Sequence, residues 1–321
     1  MMTNEEKYSR QILLEEVGKG GQKKVEKSVI AIVGIGALGT VAAELLVRAG
    51  VGKLILIDRD IIEESNLQRQ LLFTEKDVGK PKAKVAEEKL KEINSSVKLK
   101  CYVLHLNSEN ISLLKEADLV LDCTDNLKTR FLLNDFCRKE KIPWIYASAI
   151  RTEGYVMPIL PQGPCLRCFL KEANLETCDT AGVLNTITTS ISALQATLAI
   201  KILMGEKVEP VLYHYDIWKQ QFQSLKIKQN HKCLACNGEY KFLNQKEEPV
   251  IKFCSAGKYQ ITGKNVNLVE IKKRWSKLGK VVDDGVALRF GKIILFADGR
   301  ALIEAKTEEE ARSVYGKLVG N

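Results

Sequence analysis

Several features of exported or membrane-bound chains are missing from this sequence of 321 residues. No apolar run reaches the roughly 18 residues that a membrane-spanning helix needs. The most apolar candidate helix, "ISALQATLAIKILMG", is interrupted by Ser192, Gln195, Thr197 and Lys201. The N-terminal stretch "MMTNEEKYSRQILLEEVGKG" carries acidic residues and lacks the apolar core of a secretory signal. We therefore expect no membrane span and a cytoplasmic location.

Aromatic residues and histidines are also scarce, at 7% of the chain and three residues respectively. A formal net charge of +9 permits nucleic-acid binding, but aromatic side chains that could stack on bases are not interleaved with the basic ones. Lysines instead alternate with glutamates at helical spacing, as in "KVAEEKLKEIN", a pattern typical of a solvated helix face. The composition favours a basic surface over a nucleic-acid partner.

Cysteine, in contrast, is plentiful, and its pattern indicates a metal site. The sequence has nine cysteines, an odd number, and shows no export signal. Both features point to reduced thiols rather than a disulfide framework. Four of them form two CxxC pairs, Cys165 with Cys168 and Cys233 with Cys236. Two pairs of this spacing predict tetrahedral zinc, and four sulfurs leave no open position on the metal. The zinc is therefore expected to be structural.

The order of apolar segments predicts a Rossmann-like α/β fold. A strand at 28–33, a glycine loop at 34–39, a helix ending at Ala49 and a strand at 53–58 form one βαβ unit. Further strands and helices alternate along the chain, which predicts a mainly parallel sheet with helices on both faces. An opening helix is expected at about 4–18.

The composition changes near the polar stretch "NGEYKFLNQKEEP". We expect an ATP-binding domain with the zinc site at 1–240, a linker at 241–249, and a small α+β domain at 250–321. Cys254 opens that last domain in a loop faintly similar to the persulfide loop of rhodanese domains. The domain is too short for a rhodanese sheet, so a structural or partner-docking role is favoured.

The glycine loop suits a nucleotide. Gly34, Gly36 and Gly39 fit the tight turn, the close approach and the helix packing of such loops, and Asp58 ends the next strand where it can bind a ribose hydroxyl. By itself the pattern also fits a loop that only packs a helix against a strand.

Charged and polar residues after this unit suggest which chemistry is involved. Asn66, Arg69 and Lys82 follow the second strand, and Asp125 with Asn126 follows a later one. The carboxyl ends of strands in an open α/β sheet line one crevice, so these side chains should converge there. Cations and a carboxylate around a nucleotide indicate phosphate chemistry with Mg²⁺ rather than hydride transfer.

Eight segments together resemble the ThiF/MoeB group of ATP-dependent activating enzymes for ubiquitin-like proteins, related to the ubiquitin-activating enzymes. The segments are "YSRQILLEEVG", "VGIGALG", "LILIDRDIIEESNLQRQ", "DVGKPKAK", "DCTDNLKTR", "PCLRCF", "ETCDTAGV" and "CLAC". They occur in order from residue 8 to about 240, which makes the resemblance specific.

This resemblance implies a reaction. The C-terminal glycine carboxylate of a ubiquitin-like or sulfur-carrier protein attacks the α-phosphate of ATP, which gives an acyl-adenylate and pyrophosphate. It also implies ATP, Mg²⁺ and Zn²⁺ as cofactors, a partner protein ending in Gly-Gly, and a homodimer. Because an anion attacks a polyanion, catalysis is mainly charge neutralisation and alignment.

The resemblance further implies roles for individual residues. Asp125 would hold Mg²⁺, Arg69 and Lys82 would neutralise phosphate oxygens, Asp58 would hold the ribose, and Asn66 would orient the phosphates. The other expected nucleotide contacts and catalytic residues are Gly34, Gly36, Ala37, Gly39, Asn126, Arg10 and Cys178.

Three of these positions leave questions open. Arg10 would act on the ATP of the other subunit. Ala37 stands where the family often has glycine, and we expect a small effect. Cys178 is either a thiol that attacks the acyl-adenylate or ends in an acyl disulfide, as in some family members, or an unreactive loop thiol. Arg130 matches a family position next to the nucleotide crevice, but a helix salt bridge explains it equally well, so it stays outside the catalytic set.

Competing functions remain at this level. One is ATP-dependent activation of a non-protein carboxylate, for example on a modified tRNA base, although the paired cysteines argue against that branch. Another is an NAD-dependent oxidoreductase, which leaves Arg69, Lys82 and Asp125 without a role. A nucleotide-binding scaffold without catalysis is the third. The sequence identifies neither the carrier protein nor the reaction that comes after adenylation.

Overall fold

The computed structural model describes residues 4–171, 181–245, 250–252 and 257–320. The chain divides into two compact units, residues 1–245 and 246–321. Each unit is described by itself.

An eight-stranded sheet forms the centre of the first unit. Its strands are β1 (Val29–Val33), β2 (Lys53–Ile57), β3 (Lys98–Tyr102), β4 (Leu119–Asp122), β5 (Trp144–Ile150), β6 (Glu153–Ile159), β7 (Val211–Asp216) and β8 (Gln221–Lys226). Their order across the sheet is β3-β2-β1-β4-β5-β6-β7-β8. Strands β1 to β5 pair in parallel, and β6 to β8 continue the sheet in antiparallel fashion.

Helices cover both faces of this sheet, as the sequence predicts. They are α1 (Asn4–Lys7), α2 (Ser9–Ile12), α3 (Gly18–Val25), α4 (Ala37–Ala49), α5 (Lys82–Ile93), α6 (Leu127–Glu140) and α7 (Asn185–Met204). Residues of α4, α5 and α7 form one core with the sheet, and residues of α6 form the other. Because both faces are covered, β1 and β2 are continuous apolar runs rather than alternating ones.

Helix α7 is long and apolar enough to cross a membrane by length and composition, with a mean hydropathy of 1.4. Its polar side chains nevertheless make specific contacts inside the first unit. Ser192 Oγ donates to the backbone oxygen of Leu38 at 3.0 Å. Gln195 Nε2 donates to the backbone oxygens of Asp122 at 2.9 Å and Ile145 at 3.1 Å. These contacts are those of a core helix packed on the sheet.

The single opening helix expected at 4–18 is wrong. The segment forms the short helices α1 and α2, and α3 begins only at Gly18. Tyr8 separates α1 from α2 and is buried, and its hydroxyl accepts a hydrogen bond from Asn94 Nδ2 at 2.8 Å. Gln11 Nε2 donates to Ala49 O at 3.1 Å. Tertiary contacts therefore override the local helical pattern.

The second unit is a small α+β domain, as predicted. Its strands are β9 (Val250–Lys252), β10 (Lys258–Ile261), β11 (Val282–Asp283), β12 (Ala287–Phe290), β13 (Ile293–Phe296) and β14 (Ala301–Glu304). They form an antiparallel sheet in the order β11-β12-β13-β14-β10-β9. Helices α8 (Leu268–Trp275) and α9 (Glu308–Leu318) contribute to its core. Cys254 lies outside the described residues.

The first unit extends beyond residue 240, where the polar composition suggested a linker. Lys241–Asn244 form a short 3₁₀ helix. Phe242 within it is buried, and its ring stacks on Phe131 with centroids 5.1 Å apart. A buried aromatic ring anchors this otherwise polar stretch, so the boundary falls after Gln245.

Candidate nucleotide and metal sites

The glycine loop joins β1 to α4. Gly34 has φ +90°, and a Cβ there would lie 2.6 Å from Cys123 O. A Cβ on Gly39 would lie 1.9 Å from Gly34 O. Both positions therefore require glycine for the fold itself. Around Gly36 the nearest atom to such a Cβ is Gln70 Nε2 at 3.8 Å, so the fold leaves open space at that position.

The N-terminus of α4 faces this open space. Ala37 is its first residue. The N-cap is Gly36, which has no side chain to pair with the first N–H groups of the helix. A helix start leaves backbone N–H groups unpaired and carries partial positive charge, which suits a phosphate group. Ala37 lies in regular helix, so the alanine does not disturb the loop.

Asp58 follows β2 and holds the glycine loop against that strand. Its Oδ2 accepts a hydrogen bond from Ile35 N at 2.6 Å, and its Oδ1 accepts one from Asp60 N at 2.7 Å. Burial raises the pKa of this carboxyl, while the charge of Lys82 opposes the shift. Each carboxylate oxygen can accept more than one hydrogen bond, so Asp58 retains capacity for a ribose hydroxyl.

Lys82 begins α5 and is buried, with its Nζ 3.7 Å from Asp60 Oδ2. Burial tends to lower the pKa of Lys82, but the charges of Asp60, Asp58, Asp125 and Glu63 outweigh it, and the net pKa is raised. The side chain is therefore a permanent cation at neutral pH. The contacts run from Lys82 through Asp60 to Asp58, because Asp60 N donates to the same Asp58 carboxylate that accepts from Ile35 N of the glycine loop.

Asn66 and Arg69 are bonded within their own turn. Asn66 is buried, and its Oδ1 accepts a hydrogen bond from Glu63 N at 3.1 Å. Arg69 Nη1 donates to Ser65 O at 2.8 Å. Within the described part of the chain, Arg69 forms no ion pair with Asp58. The structure therefore does not bring Arg69 into the cluster formed by Asp58, Asp60 and Lys82.

The loop after β4 carries Asp125 and Asn126. Asp125 is exposed, as a ligand for a dissolved cation must be. Asn126 is the N-cap of α6, and its side chain accepts hydrogen bonds from Lys128 N at 2.8 Å and Thr129 N at 3.2 Å. Its side-chain oxygen thus orders the loop, a role that the sequence pattern did not predict for it.

Arg130 is buried and holds the same loop in place through its guanidinium group. Its Nε donates to Asp122 Oδ2 at 3.1 Å, and its Nη2 donates to the backbone oxygens of Thr124 and, at 3.1 Å, Ala147. Burial tends to lower the pKa of Arg130, but the negative charge of Asp122 outweighs burial, and the net pKa is raised. Arg130 is therefore a buried clamp rather than a phosphate ligand. Gln195 adds a second support through its bond to Asp122 O, and only its polarity in an apolar helix marks it in the sequence.

Arg10 lies far from this crevice in its own chain. It sits on α2, where Tyr8 and Gln11 on either side contact Asn94 and Ala49. Ala49 ends α4, whereas the glycine loop precedes its first residue. At about 1.5 Å per residue, the length of the helix separates these two ends by about 18 Å. Arg10 is exposed and is not positioned to reach the nucleotide of its own chain.

The four predicted zinc ligands come together. The sulfurs of Cys165, Cys168, Cys233 and Cys236 all lie within 4.8 Å of one another. The Cys165–Cys233 and Cys168–Cys236 pairs are each 3.5 Å apart, and Cys165–Cys168 is 3.9 Å apart. Tetrahedral zinc with bonds of about 2.3 Å places its sulfurs about 3.8 Å apart. The spacing therefore fits zinc.

Local chemistry also fits a cation at this cluster. Burial, followed by repulsion from Cys168 and Cys236, raises the pKa of Cys165, so four thiolates need a bound cation in this space. Asp135 on α6 anchors both halves of the cluster. It lies 3.3 Å from Arg167 Nη1 and accepts a hydrogen bond from Phe242 N at 3.0 Å. The site fastens the segments after β6 and β8 to α6.

Cys178 lies outside the described residues, which stop at 171 and resume at 181. The structure therefore does not place it relative to the crevice.

The fold is a Rossmann-like α/β fold whose glycine loop lies next to a buried lysine and several carboxylates. The ThiF family model matches residues 8–235. The chain belongs to the ThiF family.

Curated relatives support this assignment. The chain is 38% identical to the sulfur carrier protein ThiS adenylyltransferase of Bacillus subtilis, over 98% of this chain and 99% of the relative. It is 36% identical to the SAMP-activating enzyme E1 of Haloferax volcanii, over 73% of this chain and 89% of the relative. By this similarity the chain is an adenylyltransferase. The first alignment includes the second unit of the chain.

A solved structure of E. coli MccB with MccA-N7isoASN shares the fold, with a TM-score of 0.65 and 25% identity. It matches 72% of this chain and 74% of the MccB chain.

Proposed function

We propose that this protein adenylates the C-terminal glycine carboxylate of a ubiquitin-like or sulfur-carrier protein. A carboxylate oxygen attacks the α-phosphorus of ATP, the bond from that phosphorus to the bridging oxygen breaks, and pyrophosphate leaves. The relatives named as adenylyltransferases of sulfur carrier proteins support this substrate class.

One observation carries the proposal: the buried Lys82 ammonium lies 3.7 Å from Asp60, whose N–H donates to Asp58, the residue that accepts from Ile35 N of the glycine loop. A fixed cation in a partly dry site stabilises charge that moves from the α-phosphate to the leaving pyrophosphate. Hydride transfer requires no such cation, so the oxidoreductase alternative leaves Lys82 unexplained. The N-terminus of α4 binds phosphate, and Asp58 binds the ribose.

In this proposal Asp125 holds Mg²⁺ on the phosphates. Its carboxylate is exposed on the loop that Arg130 and Asn126 fix, and carboxylates are preferred magnesium ligands. Arg69 acts on the same phosphates once its side chain leaves Ser65. A ligand supplies the charge that makes this rearrangement favourable.

The enzyme acts as a homodimer in this proposal. Arg10 lies on α2, near the C-terminal end of α4, whereas its own glycine loop lies at the other end of that helix. Arg10 therefore serves the crevice of a second subunit. Leu13 and Leu14, close to Arg10 in sequence, are 73% and 53% exposed. Two exposed leucines beside a displaced arginine support a subunit interface here.

Cys178 takes a later step in this hypothesis, which rests on the family resemblance alone. Its thiolate attacks the acyl carbon of the acyl-adenylate. AMP leaves, and the carrier is then joined to Cys178 as a thioester. Cys178→Ala should retain pyrophosphate exchange within roughly threefold and lose the thiol-sensitive adduct, because adenylation precedes thiol attack. Non-reducing electrophoresis with mass spectrometry measures this. If the adduct persists in the variant, Cys178 is not the thiol that attacks the acyl-adenylate.

Pyrophosphate exchange tests the proposal as a whole. Exchange of labelled pyrophosphate into ATP should require a small protein ending in Gly-Gly and should stop when the terminal glycine is removed. Lys82→Ala should lower the rate by about 10² or more, as loss of a transition-state charge contact does. Lys84→Ala is the matched control, because Lys84 is 43% exposed and pairs with Glu87. Equal exchange with the truncated carrier would refute the proposal.

A further inference from the structure

Gln70 is a buried polar residue at the edge of the nucleotide crevice to which neither the family resemblance nor the mechanism assigns a role. It is 4% exposed and follows Arg69 directly. Its Oε1 is sealed from solvent, and no donor among the described residues reaches it. A buried oxygen without a hydrogen-bond donor destabilises the folded state, because it has lost its contacts with water. Such a group calls for an explanation.

The other end of the same amide faces the glycine loop. Gln70 Nε2 is the nearest atom to the position that a Cβ on Gly36 would occupy, at 3.8 Å. It has no hydrogen-bond partner among the described residues, and unlike Oε1 it is not one of the sealed atoms. Gly36 is the N-cap of α4, where a phosphate is expected to bind. A donor therefore lies free beside the anion site.

The backbone of Gln70 holds the side chain in this place. Gln70 N donates to Asn66 O at 2.9 Å, and Phe73 N donates to Gln70 O at 3.1 Å. These bonds belong to a turn that Asn66 caps. The side chain is thus positioned by its turn and by packing, and not by hydrogen bonds of its own.

We propose that Gln70 is a nucleotide-binding residue whose side-chain N–H donates a hydrogen bond to a phosphate oxygen of ATP at the glycine loop. This inference rests on the proposed function, because it requires ATP to bind there. The amide nitrogen completes the set of donors begun by the N-terminus of α4. The contact with a charged oxygen offsets the cost of the sealed Oε1.

Stability and binding should respond in opposite directions to Gln70→Met. Methionine keeps the volume and removes both polar ends, so the melting temperature of the ligand-free protein should stay the same or rise. Affinity for ATP should fall roughly tenfold to a hundredfold, as expected for loss of a hydrogen bond to a charged group. Adenosine, which has no phosphate, should bind both proteins equally. Gln68→Met is the control, because Gln68 is exposed two residues earlier.

Calorimetric titration of ATP and adenosine into the full chain, together with thermal melts, decides the question. Equal ATP affinity in wild type and Gln70→Met would overturn the role of Gln70. Equal loss of ATP and adenosine binding would also overturn it, because the residue would then shape the pocket only. If Gln70→Met does not fold, Gln70→Glu, which keeps an oxygen but replaces the donor with a charge, should weaken ATP and spare adenosine. A wild type that binds no ATP would contradict the proposed function instead.

Discussion

Arg130 and Asp122 form a buried ion pair at 3.1 Å at the base of the loop that leads to Asp125, with side chains 8% and 0% exposed. The same guanidinium binds the backbone oxygens of Thr124 and Ala147, so it joins the loop to β5. A single buried side chain therefore fixes the backbone that presents Asp125.

Arg130→Lys should separate this positioning role from stability. Lysine keeps the charge opposite Asp122 but cannot make the further bonds to Thr124 and Ala147, because it lacks the planar fork. We expect pyrophosphate exchange to fall about tenfold and the Mg²⁺ concentration for half-maximal exchange to rise. Arg167→Lys is the matched control, since Arg167 pairs with buried Asp135 near the cysteines. A similar loss of melting temperature with an unchanged Mg²⁺ requirement in both variants would argue against positioning.

Mixing two inactive chains should test whether sites are shared between subunits. A heterodimer of an Arg10→Ala chain and a Lys82→Ala chain has one crevice with both native residues and one with neither. One of the two crevices in each heterodimer should therefore be active, and the mixture should regain activity that neither parent has. Differently tagged chains and purification of the mixed species provide the measurement. Mixed dimers that remain as inactive as the parents would remove Arg10 from the partner's site.

The cysteine cluster should hold about one zinc per chain by elemental analysis. Cys233→Ser should lose the metal and lower the melting temperature, because two segments would no longer be fastened to α6. Cys137→Ser serves as the comparison for a buried thiol outside the cluster. Full zinc occupancy in Cys233→Ser would contradict the assignment of this ligand.

Asp77 should give a defined pH dependence of stability in the segment that precedes Lys82. Burial tends to raise the pKa of Asp77, but hydrogen bonds from Lys89 and Thr74 dominate, and the net pKa is lowered. A lowered folded pKa stabilises the fold above the ordinary value of 3.8, and the contribution is lost as pH falls through the folded pKa. Asp77→Asn should thus melt lower than wild type at pH 7. The difference should shrink below about pH 4, and a constant difference would contradict the account.

The parts of the fold that depend on local constraints could be predicted from the sequence. Gly34 and Gly39 are fixed by contacts within one βαβ unit, and the CxxC spacing sets the geometry of two thiols at a time. The opening helix was predicted wrongly because Tyr8 packs against Asn94, far along the chain.

The supports of the site depend on long-range contacts that no local pattern reveals. Gln195 lies 73 residues from Asp122, whose backbone oxygen it binds. Arg130 could be read as a nucleotide neighbour or as a helix salt bridge until its partners were known. Gln70 stands within a recognisable motif, but only its burial and its place beside Gly36 distinguish it from Gln68.

The reaction proposed for this enzyme joins AMP to the C-terminal carboxylate of a small Gly-Gly protein. The most direct measurement is intact mass spectrometry of that protein, quenched in acid after incubation with enzyme, Mg²⁺ and ATP labelled in the α-phosphate. The account predicts a carrier heavier by AMP less water, with the label on the carrier and pyrophosphate released. A carrier that gains phosphate while ADP forms, or that never takes up the α-phosphate, would contradict it.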